Sequence, residues 1–330
     1  MGPISTIFTH TPLRSWTNND AVVEVFPMPE APFPTTIPWL FFRREQLAVQ
    51  TSDLIYSFIL ISKESGDILS LFHCLPGFHD WISPPLAPFG GIMPVAHCRG
   101  DQLTFLLTCI REWVIYHGGK ALTIKTAPSC YDPITHQLCH HSYLAAGFLP
   151  NHTYSNAYIP IGGEGFDRII EPSERRRLSN GKKRGLQVTM KQGVFDKTTE
   201  DFLHRCYQVH GYQLPVPPDR LALLPGTCPE NYLVFTNRFE EEPVAVAVMV
   251  RVGDRILYHF MSGYLPEYRT LSPSVMLFEA AFEYCRSKEI AILDLGICID
   301  HFGNPKPSLS RFKANIGGLE CEKIVYKAFF

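Results

Sequence analysis

Residues 272–296 read SPSVMLFEAAFEYCRSKEIAILDLG. Ser272 and Pro273 open an amphipathic run that ends near Ser287, and Ile290–Leu295 returns as a short apolar strand. Ser272 is expected to cap the helix with its side chain. Upstream, residues 232–238, 243–252 and 255–262 form three strand-length segments, with Glu240–Glu242 and Gly253-Asp254 as the turns between them. The middle segment carries VAVAVMVRV (244–252), apolar on both faces, and is expected at the centre of a sheet. Consecutive strands, then a helix, then a returning strand make an α/β unit.

The same order occurs in the first half. Residues 53–62 and 67–73 read as two strands, and 83–91 (SPPLAPFGG) as a loop. In GDQLTFLLTCIREWVIYHGGKALTIKTAP (100–128), Leu103, Leu106, Leu107, Ile110 and Val114 share a helical face. Asp101 is expected to cap that helix, Gly118-Gly119 to end it, and 121–126 to form a strand. A second helix is expected over 135–146 and a strand over 154–161. In the second half, 168–184 reads as a charged helix or helix pair, 186–192 as a strand and 198–210 as a helix. The proline-rich stretch 18–39 is expected to run over the surface as extended chain and turns. Two copies of one domain follow, residues 1–160 and 161–330, because the period is far too long for a solenoid. Gly162-Gly163-Glu164-Gly165 reads as the linker.

The chain has 330 residues and a formal net charge of −2, so it carries no global basic field for nucleic acid. Charges or prolines break every apolar stretch within about 10–14 residues, so no membrane span is expected. Residues 1–20 are polar and show no signal-peptide pattern. Ten cysteines are scattered, with no C-x-x-C pair, and most sit in apolar runs, which points to free thiols and a cytoplasmic location. His136, Cys139, His140 and His141 have metal-like spacing but no second pair of ligands, so no metal site is expected.

Three segments together resemble the Fem peptidyltransferase group (FemABX), whose proteins carry two GNAT-like (acyl-CoA N-acyltransferase) domains. They are the basic stretch 174–185 with its following strand, YLPEYRTLSPSVMLFEAAFE at 264–283, and LDLGICIDHFGNPKPSLSRFKANIGG at 293–318. APFGG at 87–91 and KTAPSCYDP at 125–133 resemble the degenerate partner copy. The resemblance implies an α/β (α+β) fold of two tandem GNAT-like domains, each a mixed, mostly antiparallel sheet flanked by helices. The last strand is expected to pack on the first domain. The implied activity moves an acyl group from acyl-CoA or aminoacyl-tRNA, as donor substrate, to a small-molecule or peptide amine. No tightly bound cofactor is implied. A binding protein that keeps the fold without the chemistry is the alternative.

By the same resemblance, Tyr268, Arg269, Thr270, Leu271 and Ser274 form the donor site. The loop lacks glycine, so the backbone amides at the helix start carry the phosphate-binding role. Lys313, with Arg311 and Asn315, is implied to contact the substrate; the competing reading is a solvated surface lysine. Either way Lys313→Ala is expected to leave folding near normal, since lysine is seldom fully buried. Tyr258, His259 and Ser262 lie on the strand entering the donor loop. Tyr258 and His259 are candidates for proton transfer, with a hydrogen-bonded core histidine as the competing reading of His259. Asp294, in an apolar strand, is either catalytic or a paired structural carboxylate. Cys298 follows the DLGI run and reads as a nucleophile or a core thiol. The basic run 175–184 is either a tRNA contact or a solvated helix face.

Overall fold

A computed structural model describes residues 11–330 except 79, 85, 194, 210, 213, 215, 217–220, 222 and 301. His210, the expected end of one helix, and His301, inside the C-terminal signature, lie outside the described residues. The chain divides into two compact units, residues 1–153 with 322–330, and residues 154–321.

The first unit has β1 (Arg14–Thr17), β2 (Ala21–Pro27), β3 (Tyr56–Ser62), β4 (Ile68–Pro76), β5 (Trp81–Ser83), β6 (Met93–Pro94) and β7 (Ala121–Lys125). Its helices are α1 (Arg44–Gln50), α2 (Gly100–Tyr116) and α3 (Pro133–Ala145). The sheet runs β1-β2-β3-β4-β5-β7 and is completed by residues 325–329 of the final strand, antiparallel to β7. Only β5 and β7 are parallel, because the α2 crossover joins them. The predicted α2 face is buried as expected, with Leu103, Leu106, Leu107, Ile110 and Val114 fully inaccessible. Each such side chain contributes about 1.5–3 kcal/mol.

Two local expectations fail in this unit. The stretch 18–39 is not all surface chain: β2 pairs β3 in full register, and Ala21, Val23 and Val25 are buried. The alternation AVVEV was present in the sequence, but the prolines that follow obscured it. Asp101 does not cap α2. Arg99 occupies the cap position, its backbone N–H donates to Gln102, and Asp101 sits in the first turn, ion-paired to Arg99. Asp132 caps α3, accepting from the Thr135 N–H at 3.0 Å.

The second unit starts within β8 (Leu149–Pro160). It continues through α4 (Phe166–Ile169), α5 (Pro172–Lys183), β9 (Gln187–Gln192), α6 (Lys197–Val209) and α7 (Leu224–Thr227). Then follow β10 (Tyr232–Phe239), β11 (Glu242–Gly253), β12 (Ile256–Tyr264), α8 (Pro273–Ser287), β13 (Ile292–Ile297), α9 (Pro307–Asn315) and β14 (Leu319–Phe329). Within this unit the strand order is β8-β13-β12-β11-β10-β9, and only β12 and β13 are parallel. Val244 to Val250 are buried, as both faces of a central strand require. The sheet is mixed and mostly antiparallel in both units. Ser272 makes no side-chain cap bond; it takes a left-handed conformation, φ 47°, which turns the chain sharply into α8.

None of the ten cysteines forms a disulfide, and eight of them are buried. No helix among the described residues is long and apolar enough to cross a membrane. His73 is a buried base in the first sheet: its Nδ1 shares a hydrogen bond with Ser57 Oγ at 2.8 Å, and Phe33 stacks on its ring. Burial pushes its pKa down to about 3. The unfolded chain therefore binds an extra proton between about pH 6.5 and pH 3. The stabilising contribution is whole above pH 6.5 and is lost as pH falls, about 3 kcal/mol of it by pH 4. Denaturant titrations at pH 7 and pH 4 should show His73→Gln losing that much less stability than the parent; equal losses would mean that His73 is not sealed from solvent.

Candidate functional site

The second unit is built around an interrupted ladder. β12 and β13 pair over Ile256↔Ile292, Leu257↔Leu293 and Tyr258↔Asp294, and there the pairing stops. β12 nevertheless runs on to Tyr264 and β13 to Ile297. Both strands bulge at that point. Against β11, Val248 faces Met261 and Met249 faces His259, so Phe260 is an extra residue. Against β8, Asp294 faces Tyr158 and Gly296 faces Ala157, so Leu295 is extra. A bulge bends and twists its strand, and two of them beside one parallel pair end that pair in a fork. Gly296, at φ 78°, supplies the backbone conformation that the β13 bulge needs.

Four of the residues singled out from sequence meet at this fork. Asp294 is 1% exposed. Its Oδ1 accepts from Asn156 Nδ2 and from the Gly296 N–H, both at 2.7 Å. The carboxylate thus closes the Leu295 bulge on itself. Tyr258 is its register partner. Burial, then the Asp294 charge and Tyr207, hold the Tyr258 hydroxyl above its usual range, so it stays protonated at neutral pH. His259 bonds the Leu295 backbone and lies edge-on to Phe278, ring centroids 5.1 Å apart. Its Nε2 is sealed without a hydrogen-bond partner. Burial, then the charge of Lys313, push its pKa down to about 3. A neutral imidazole in that setting is poorly matched to proton abstraction near pH 7.

Lys313 is not a solvated lysine. It is 4% exposed, and its Nζ donates to Gly296 O and Ile297 O, each at 2.9 Å, with Cys298 beside it. Burial pulls its pKa down, while Cys298 and Asp294 act in the opposite direction. The residues after it have a geometric reason. Gly317 has φ 88°, and a Cβ on Gly318 would stand 2.6 Å from the Lys313 carbonyl oxygen, which the Gly318 N–H itself binds at 2.9 Å. The Gly-Gly pair ends α9 so that Lys313 faces inward. Phe312 meets Phe278 of α8 with ring centroids 5.9 Å apart.

The remaining candidates lie elsewhere on these elements. Tyr268 to Leu271 form a 3-10 turn before α8. Leu271 is 7% exposed and belongs to the core, so its side chain cannot meet a donor. Arg269 and Thr270 are exposed and Ser274 is half-buried at the helix start. Arg311 is exposed on α9, while the Asn315 carbonyl accepts from the Glu171 N–H. In the basic run, Arg177 pairs Glu174 and Lys182 pairs Glu279, whereas Arg176, Lys183 and Arg184 are exposed. Asn156 and Gly296 were missed from sequence. No pattern marks Asn156; Gly296 stood in the DLG triplet.

The expectation that Lys313→Ala leaves folding near normal is overturned by this burial. Truncation strands two buried carbonyls, which costs about 2–4 kcal/mol. Thermal unfolding of Lys313→Ala should show a clearly lower midpoint; a midpoint equal to the parent's would mean that the ammonium is not bound where the structure places it.

An acetyltransferase (GNAT) domain model matches residues 162–305. No curated protein sequence matches the chain. Among solved structures, FemX aligns with 88% of this chain and 92% of its own at a TM-score of 0.67 and 12% identity. L-PGS from Bacillus licheniformis aligns over 86% of each chain, TM-score 0.54 and 11% identity. A tandem GNAT protein from the clavulanic acid biosynthesis pathway covers 83% of this chain and 82% of its own, TM-score 0.52 and 11% identity. Both units repeat one pattern, an antiparallel meander followed by a helix crossover to a single parallel pair. The chain thus has the fold of FemX and of that tandem GNAT protein, and its residues 162–305 are similar to an acetyltransferase (GNAT) domain.

Proposed function

We propose that the chain transfers an acyl or aminoacyl group from an acyl-CoA or an aminoacyl-tRNA to an amine. The observation that carries this reading is the fork. Beyond Tyr258, the β12 edge that faced β13 has no paired strand among the described residues. That edge is where an extended donor could add as a strand would. Arg269, Thr270 and Ser274 stand at the start of α8, where backbone amides and the helix dipole favour the donor's phosphates.

In the reaction the amine attacks the donor carbonyl carbon, the C–S or C–O bond breaks, and the proton lost by the amine ends on the departing sulfur or oxygen. Tyr258, held protonated, is the group suited to donate a hydrogen to the departing sulfur or oxygen. Asp294 and Lys313 act by position: one closes the Leu295 bulge and the other pins the carbonyls of Gly296 and Ile297, so together they fix one prong of the fork. Lys313 also supplies positive potential for the oxyanion that forms during attack. His259 spaces the other prong through its bond to Leu295. Ten cysteines without a disulfide support a reducing, cytoplasmic compartment for this work.

A binding protein that keeps the fold is the second reading. It is favoured by one observation: Asp294 and Lys313 are both already engaged with backbone at the fork.

Melting curves with saturating acetyl-CoA, or with aminoacyl-tRNA at low salt, separate these cases. A donor that binds only the folded chain at a hundred times its Kd adds about 2.7 kcal/mol of stability and raises the midpoint. Reversing charge at the exposed Lys183 and Arg184 should weaken tRNA binding and flatten its salt dependence. With the donor so identified, Tyr258→Phe should lower kcat by about 10²-fold with little change in melting. No shift with either donor would remove the transferase reading.

A further inference from the structure

The fork occurs twice, and the second copy has walls. In the first unit β5 and β7 run parallel over three residue pairs, ending at Ser83↔Ile124. A cavity of about 190 Å³ lies where the chain leaves those strands, with Gly90 and Thr126 in its lining. The Gly90 N–H donates to the Lys125 carbonyl at 2.7 Å, which fastens the loop after β5 to the end of β7. Crevices beyond the carboxyl ends of parallel strands are where open α/β sheets take ligands. The volume is below the ~300–1,000 Å³ of drug-sized sites, so it suits a small headgroup.

One side of the cavity is aromatic. Trp39 stacks on Tyr131, centroids 5.4 Å apart and planes 19° apart. Phe89 stands edge-on to both, at 5.7 Å and 5.6 Å. The rest of the lining includes polar groups. It holds Asp132, His136 and His140, and the Tyr326 hydroxyl, which lies 2.6 Å from His140 Nδ1. Asp132 spends one oxygen on the Thr135 N–H and the other on the Thr135 hydroxyl, which holds the carboxylate in place and leaves lone pairs on both oxygens. Burial and then His140 keep His136 below its usual range, so it is neutral at pH 7. Glu322, exposed and outside the lining, adds a negative field felt by both His136 and Tyr326. No lysine or arginine among the described residues lines the cavity.

Aromatic faces attract cations, quaternary ammonium groups above all, and a fixed carboxylate with no lysine or arginine beside it in the lining has the same preference. We propose that this cavity of the first unit binds a small organic cation, an alkylammonium or quaternary ammonium group, between the Trp39–Phe89–Tyr131 wall and Asp132. No residue of the second unit enters, so the assignment stands or falls independently of acyl transfer.

Titration calorimetry on the full chain tests it, with tetramethylammonium, n-butylammonium and the neutral isostere 2,2-dimethylpropan-1-ol at constant ionic strength. Saturable binding of either cation is expected, with the alcohol at least several-fold weaker. Trp39→Leu should weaken the cation by roughly 2- to 30-fold, the span of a cation–π contact. Asp132→Asn should weaken it as well; asparagine keeps the helix cap, so this variant decides the matter if Trp39→Leu fails to fold. Binding of the alcohol as tightly as the cations, no binding of any probe, or cation binding unchanged in Asp132→Asn would overturn the proposal.

Discussion

Two extra residues, Phe260 on β12 and Leu295 on β13, limit a parallel ladder to three residue pairs. Every feature of the candidate site follows from that restriction. A continuous ladder would satisfy the backbone of both strands and leave nothing to offer a substrate. The bulges release backbone groups, and unsatisfied groups near a core are costly. The protein meets that cost with side chains: Asp294 takes the Gly296 N–H, and Lys313 takes the carbonyls of Gly296 and Ile297. The candidate catalytic residues are therefore also what holds the fork in shape.

This dual duty explains the electrostatics. A buried carboxylate and a buried ammonium are tolerated because each is hydrogen-bonded to backbone and each lies in the other's field. Their neighbours pay in the opposite sense. Burial, reinforced by the Lys313 charge, keeps His259 neutral, and burial, reinforced by the Asp294 charge, keeps Tyr258 protonated. The fork thus presents a hydrogen donor and a positive field, with its carboxylate already engaged by Asn156 and Gly296, which suits stabilising an anionic leaving group better than abstracting a proton.

The first unit repeats the three-pair parallel ladder but fills its mouth differently. There the chain after the strands meets an aromatic wall and the α3 helix, capped by Asp132. One backbone plan thus supports a polar fork in one unit and an aromatic cavity in the other, as expected when function resides in side chains grafted on a shared fold.

Apolar periodicity alone carried much of the fold. The α2 face, the doubly buried β11 and the helix-to-strand return at 272–297 each depend on local spacing, and burial of those faces is what local spacing encodes. Local reading failed where partners came from afar. Ala21–Pro27 was hidden behind prolines until β3 paired with it, and the burial of Lys313 was not legible because only the folded chain brings the Gly296 and Ile297 carbonyls within 2.9 Å of its ammonium. Asn156 lies 138 residues from the carboxylate it binds. Composition and spacing determined the elements and the repeated α/β order; which polar groups are buried, and against what, was decided by tertiary structure, because a hydrogen bond between distant residues leaves no periodic trace in the sequence.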